Sequence, residues 1–142
     1  MKTVRQLLQG KPPGAFGIPP DASVHDAMKL LAEKNVGALL VLAGDKLVGI
    51  ISERDLARKL FLHDKSPKET PVREVMTQQV IYVLPNHTNE DCMALMTDKR
   101  VRHLPVLEDG RILGVISIGD LVKDIISEQQ FIIQQLEHYI HG

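Results

Sequence analysis

Apolar and polar positions follow one succession of rhythms along this chain, and that succession occurs twice. Val24, Ala27, Met28 and Leu31 fall at i, i+3, i+4 and i+7, the spacing of one helix face. Ser23 precedes them as an N-cap, and Asp26 three residues on completes an approximate capping box. An apolar run follows from Val36 to Leu42, too short for a long helix and bounded by turns, which predicts a buried strand. Gly44-Asp45 turns the chain into a second strand over Leu47 to Ile51. Ser52 then opens another helix with Leu56 and Leu60 on its inner face.

The second copy runs in the same order. Thr88 and Asp91 form the cap, and Cys92, Met93 and Met96 the apolar face. Val101 to Leu107, the turn Asp109-Gly110 and Ile112 to Ile116 form the strand pair, and Ser117 opens the helix carrying Leu121 and Ile125. A shift of 65 positions lays Pro20–Leu56 on Pro85–Leu121 without a gap, and 14 of the 37 columns are identical. A related shift pairs Val4-Arg5-Gln6-Leu7-Leu8 with Val72-Arg73-Glu74-Val75-Met76.

Each repeat therefore reads helix, strand, strand, helix, with a short extra strand expected before it near Phe16 or Ile81. One such unit cannot cover both faces of its sheet, whereas two stacked units can, which predicts a single α/β (α+β) domain over residues 1–142. Repeat 1 spans about 4–62 and repeat 2 about 72–127. The linker is 63–71, with two prolines and four charges, and a C-terminal helix covers about 125–140.

At 142 residues, the chain is long enough to bury roughly 70% of the surface its unfolded form exposes. Lysine and arginine (17) nearly balance aspartate and glutamate (18), so no broad positive field is available for a nucleic acid backbone. The single cysteine, Cys92, permits no internal disulfide and suits a reducing compartment. The N-terminus lacks a signal-peptide core, and no apolar run could span a bilayer, so the expected location is cytoplasmic, away from membranes.

The chemistry concentrates where strand gives way to helix. Ser52 and Asp55, and likewise Ser117 and Asp120, sit at the first helical turn, where free N–H groups and the positive dipole end gather. A carboxylate there can accept hydrogen bonds from both hydroxyls of a ribose, and a serine can donate beside it. Ser-x-x-Asp is also a capping box in its own right, so these residues by themselves leave binding and capping both open. The six histidines show no ligand spacing beyond His138 and His141, and no metal site is expected. Cys92 lies on an apolar face as a core residue. No Gly-rich phosphate loop and no nucleophile with a base stand out, so the chain reads as a non-enzyme.

Gly49-Ile50-Ile51-Ser52-Glu53-Arg54-Asp55-Leu56 and Gly114-Val115-Ile116-Ser117-Ile118-Gly119-Asp120-Leu121 resemble the signature that ends each cystathionine-beta-synthase (CBS) repeat. Val101-Arg102-His103-Leu104-Pro105-Val106 resembles the second-strand motif of those repeats, and Val72-Arg73-Glu74-Val75-Met76 their lead-in. The resemblance covers nearly the whole chain. It implies two βαββα repeats stacked with pseudo-twofold symmetry into one Bateman module, with adenosine-ligand clefts between the repeats.

Carried across by position, the resemblance makes Asp55 and Asp120 ribose acceptors, with Ser52 and Ser117 beside them. Arg102, His103 and Arg54 become candidate phosphate cations. Adenine would lie between backbone near Phe16 or Ile81 and the strand start at Gly37-Ala38 or Val101-Arg102. The copies differ: Gly37-Ala38 stands where copy two has Arg102-His103, and Gly119 where copy one has Arg54. The two clefts should therefore differ, with Asp120 and Arg102 in the better one.

The implied function is a stand-alone adenosine-nucleotide sensor in signal transduction, with AMP as the first ligand and ADP, ATP or NAD behind it. The alternative is an interaction module that regulates a redox partner of thioredoxin type without needing nucleotide. The C-terminal stripe of Ile125, Gln129, Ile132, Ile133, Leu136 and Ile140 either packs on its own domain or covers a second subunit. A homodimer is the expected assembly.

Overall fold

The computed structural model describes residues 2–12 and 14–141. Its elements are α1 (Val4–Gln9), β1 (Gly17–Ile18), α2 (Val24–Lys34), β2 (Ala38–Ala43), β3 (Lys46–Ser52), α3 (Glu53–His63), α4 (Asn89–Lys99), β4 (His103–Glu108), β5 (Arg111–Ser117) and α5 (Ile118–His141), with a 3-10 turn at Val72–Glu74. The mixed α/β class expected from the sequence is what forms. Two compact units result, Ala15–Ile81 in one and Met1–Gly14 with Tyr82–Gly142 in the other.

In the Ala15–Ile81 unit, β2 and β3 pair antiparallel through the Gly44-Asp45 turn, and β1 adds in parallel beside β2. Gly44 takes φ +63°, a conformation glycine adopts without steric cost. The Ser23 hydroxyl accepts the Asp26 amide to start α2, and Asn35 ends it in the left-handed conformation. Val24, Ala27 and Leu31 bury against Leu39, Val41, Ile51, Leu56, Val72 and Val75 in one cluster. Met28, expected on that face, is 45% exposed, so the buried stripe is narrower than its spacing suggested. The segment after α3 is held down by its backbone: the Val24 amide donates to the Thr70 carbonyl and the His25 amide to that of Pro67.

The second unit repeats this plan. β4 and β5 pair in the register of β2 and β3, with His103 opposite Ser117 as Ala38 is opposite Ser52, and an irregularity at the same place in each hairpin. Thr88 and Asp91 form a reciprocal capping box at the start of α4. Cys92, Met96, Leu104, Val106, Ile116 and Leu121 are buried.

One expected element is reduced. In the first repeat the Leu40 amide donates to the Phe16 carbonyl and β1 forms. Pro105 occupies the matching position in the second repeat and has no N–H to donate. Pairing there shrinks to a parallel bridge between Val83 and Val106, carried by Val83 N to Pro105 O and Leu107 N to Val83 O.

Each hairpin carries a glycine where its lead-in segment crosses it. A Cβ on Gly49 would lie 2.6 Å from Met76 Sδ and 3.1 Å from the Thr77 carbonyl oxygen, and one on Gly114 2.9 Å from Leu8 Cδ2. These positions are small because another part of the chain lies against them.

The C-terminal pattern proves continuous with the helix opened by Ser117: α5 is a single helix of 24 residues. Leu121 and Asp124 are buried, while residues 126–141 are exposed throughout. No helix among the described residues is long and apolar enough to cross a membrane.

Candidate functional site

In each unit the strand–helix junction is assembled by the same two contacts. The Glu53 amide donates to the Gly37 carbonyl at 3.0 Å, and the Ile118 amide to the Arg102 carbonyl at 2.9 Å. The hydroxyls of Ser52 and Ser117 each accept the amide of the aspartate three residues on, at 3.2 Å. A free first-turn N–H is thereby satisfied, and the aspartate stands at the mouth of its sheet.

The Ala15–Ile81 unit thus brings Gly37, Ala38, Ser52, Arg54 and Asp55 together. Asp55 is half-buried, and no side chain or amide among the described residues bonds its carboxylate. Arg54 is exposed. Phe16, directly before β1, is 44% exposed, with Lys34 Nζ 5.4 Å from its ring centroid. Ile81 is half-buried outside any strand.

The other unit brings Val101, Arg102, His103, Ser117, Gly119 and Asp120 together. Arg102 and Gly119 are exposed, while Val101, His103 and Asp120 are half-buried. Arg102 forms no ion pair among the described residues.

Asp120 differs from Asp55. Its Oδ2 accepts from the Ser117 amide at 2.8 Å and from Lys11 Nζ at 2.7 Å. Lys11 Nζ also donates to the Val115 carbonyl at 2.7 Å. Burial alone would push the Asp120 carboxyl up; the Lys11 ammonium and the Ser117 donors outweigh it and hold the group below the ordinary aspartate value.

Lys11 is the functional candidate that the sequence reading missed. The 68-residue shift that aligns the two lead-ins places Gln79 opposite it. That charge difference between otherwise similar segments was the available signal.

A cleft of about 340 Å³ opens beside Asp120, and its lining includes Lys2, Lys11, Lys123, Asp120 and Asp124. Asp124 is buried, pairs with Lys2 at 3.4 Å and accepts from Asn89 Nδ2 at 2.8 Å. Cys92 is buried and its thiol is pushed up to about 11 by desolvation, with the nearby Asp91 charge adding to it, which makes it inert as a nucleophile.

Each unit carries a serine-capped strand–helix junction with an aspartate in the first helical turn, and comparison with known proteins shows which family this arrangement belongs to. The CBS domain family matches residues 13–62 and again 72–127. The chain belongs to that family and carries a tandem pair of its repeats.

The CBS domain-containing protein CBSX3, mitochondrial, of Arabidopsis thaliana is 38% identical over 149 residues, covering 99% of this chain and 72% of its own. A solved structure of a protein with CBS domains from Burkholderia ambifaria MC40-6 is 50% identical with a TM-score of 0.87, covering 90% of this chain and 96% of its own. The CBS domain pair of protein MJ0100, solved with 5′-methylthioadenosine and S-adenosyl-L-methionine, is 25% identical with a TM-score of 0.78, covering 90% of this chain and 98% of its own.

Proposed function

We propose that this chain is a non-catalytic regulatory protein that senses an adenosine ligand through the carboxylates of Asp55 and Asp120. The observation that carries the reading is the duplicated junction. Two aspartates stand at matched strand–helix corners, each beside a serine and a strand start, and each has at least one carboxylate oxygen that takes no backbone amide or lysine. A ribose diol needs such an acceptor.

Support also comes from MJ0100, a relative bound to two adenosine-containing ligands. Arg102 and His103 in one unit and Arg54 in the other are the candidate phosphate partners. Backbone near Phe16, Gly37-Ala38, Ile81 and Val101 offers the donors and acceptors that the adenine edge requires. AMP is the first ligand to try, followed by ADP, ATP and NAD. The working location is the cytoplasm.

Thermal melting decides it. A ligand at 100 times its Kd adds about 2.7 kcal/mol of stability, a shift of several degrees for a domain of this size. No shift with AMP, ATP or NAD rules the sensor out, as does an unchanged shift in the Asp55→Ala/Asp120→Ala double variant.

A second reading is favoured by one observation: Ser52, Ser117 and Asp120 are already engaged in the first turns of their own helices. On that reading the junctions are purely structural and the chain docks a partner, such as a thioredoxin-type redox enzyme, irrespective of nucleotide. In either reading a second copy of the chain covers α5, where Ile132, Ile133, Leu136 and Ile140 are each more than half exposed.

A further inference from the structure

The two lead-in segments are tethered to their hairpins by different means. In the Ala15–Ile81 unit the tether is backbone: the Thr77 and Ile50 amides donate to each other's carbonyls at 2.9 and 3.1 Å. In the other unit Val115 stands where Ile50 does, and its carbonyl is taken instead by Lys11 Nζ at 2.7 Å. The same ammonium reaches Asp120 Oδ2 at 2.7 Å, with the lysine side chain 31% and the aspartate 24% exposed.

Asp120 is therefore a carboxylate with a resident cation on one of its two oxygens, while Asp55 has none, and Gln79 stands in the sequence where Lys11 does in the other lead-in. The adjoining cleft sets three ammonium groups, Lys2, Lys11 and Lys123, against the two carboxylates of Asp120 and Asp124. Lys123 forms no ion pair among the described residues.

We propose that Lys11 sets the ligand class at Asp120: it competes with a neutral nucleoside and favours one that carries phosphate. This rests on the reading that Asp120 accepts a ribose diol. A diol that binds through both carboxylate oxygens must take Oδ2 from the ammonium. A neutral nucleoside offers that ammonium nothing in return, so the lost contact counts against binding. A phosphorylated nucleoside gives it a new anionic partner, in a cleft whose other cations add to the same field. Asp55 has no such gate and discriminates less.

Calorimetric titration with adenosine and with AMP tests this in an Asp55→Asn background, where Asp120 is the remaining diol acceptor. Four proteins are compared: this background, and the background carrying Lys11→Gln, Lys11→Arg or Asp120→Asn. Lys11→Gln should tighten adenosine and weaken AMP, each by about threefold or more, as expected for one partly exposed ion pair. Lys11→Arg, which keeps the charge, should restore the preference for AMP.

Loss of binding in Asp120→Asn together with a Lys11→Gln effect that is absent, or of the same sign for both ligands, overturns the role of Lys11 and leaves the diol reading standing. Binding that is absent from the background protein, or unaffected by Asp120→Asn, overturns both. A melting curve on each variant separates lost binding from lost folding.

Discussion

The Ile118 amide donates to the Arg102 carbonyl at 2.9 Å, which ties the first residue of α5 to the residue just before β4. That bond brings the backbone of Arg102 to the helix turn that carries Asp120, although the two residues are 18 positions apart in the chain. Its counterpart, the Glu53 amide on the Gly37 carbonyl, builds the same corner without an arginine. The matched geometry comes from the duplication, and the unmatched chemistry from the substitutions that followed it.

Arg102 should therefore matter for phosphate and not for fold. The side chain is exposed and forms no ion pair among the described residues. Arg102→Ala should weaken AMP by about tenfold, leave adenosine nearly unaffected and change the melting temperature little. Titration with both ligands checks this, and equal weakening of the two would remove the phosphate role.

Leu31 is 1% exposed in the cluster formed by α2, β2, β3 and α3. Leu31→Ala should cost about 2–5 kcal/mol through lost burial and the cavity left behind. Urea unfolding measures it, and a cost below about 1 kcal/mol would mean that this cluster repacks freely.

The Lys11–Asp120 pair makes stability depend on acid in a defined direction. The folded carboxyl lies below the ordinary aspartate value, so its contribution is present above that value and is lost as pH falls through the folded one. Lys11→Met should melt lower than the wild type at pH 7, by an amount corresponding to about 1 kcal/mol, and the two should converge in strong acid. Parallel curves at all pH values would show that the pair contributes nothing.

Cys92 runs the other way. Its folded thiol titrates at about 11 against an ordinary 9.0, so stability holds below 9.0 and declines as pH rises towards 11. At pH 8 iodoacetamide should alkylate it at least tenfold more slowly in the native protein than in urea. Fast native labelling would mean that α4 opens readily.

If a second copy covers α5 as proposed, removal of the helix beyond Ile125 should give a monomer with little loss of melting temperature, because residues 126–141 are exposed. Light scattering on both forms reports the mass. Equal masses for the two would exclude α5 as the contact.

Much was legible from pattern alone, for reasons that are local. Ser23, Thr88, Ser52 and Ser117 cap the helices they precede because a hydroxyl reaches an amide three residues on regardless of the rest of the fold. The hairpin turns at Gly44-Asp45 and Asp109-Gly110 follow from residues that accept positive φ. Repetition then doubled every signal, which is how Asp55 and Asp120 emerged together.

Only the tertiary structure decided the rest. Pro105 curtails a strand pairing with a segment 22 residues earlier, and a missing N–H matters only once its would-be partner is known. Met28 has the spacing of a core residue, yet it is left 45% exposed. Lys11 reaches Asp120 across 109 positions, a contact that no periodicity encodes because it depends on where the lead-in crosses β5. Capping and turn formation act within four residues and can be read from the chain. The partner of a long, charged side chain is chosen by whatever folding brings within 3 Å of it.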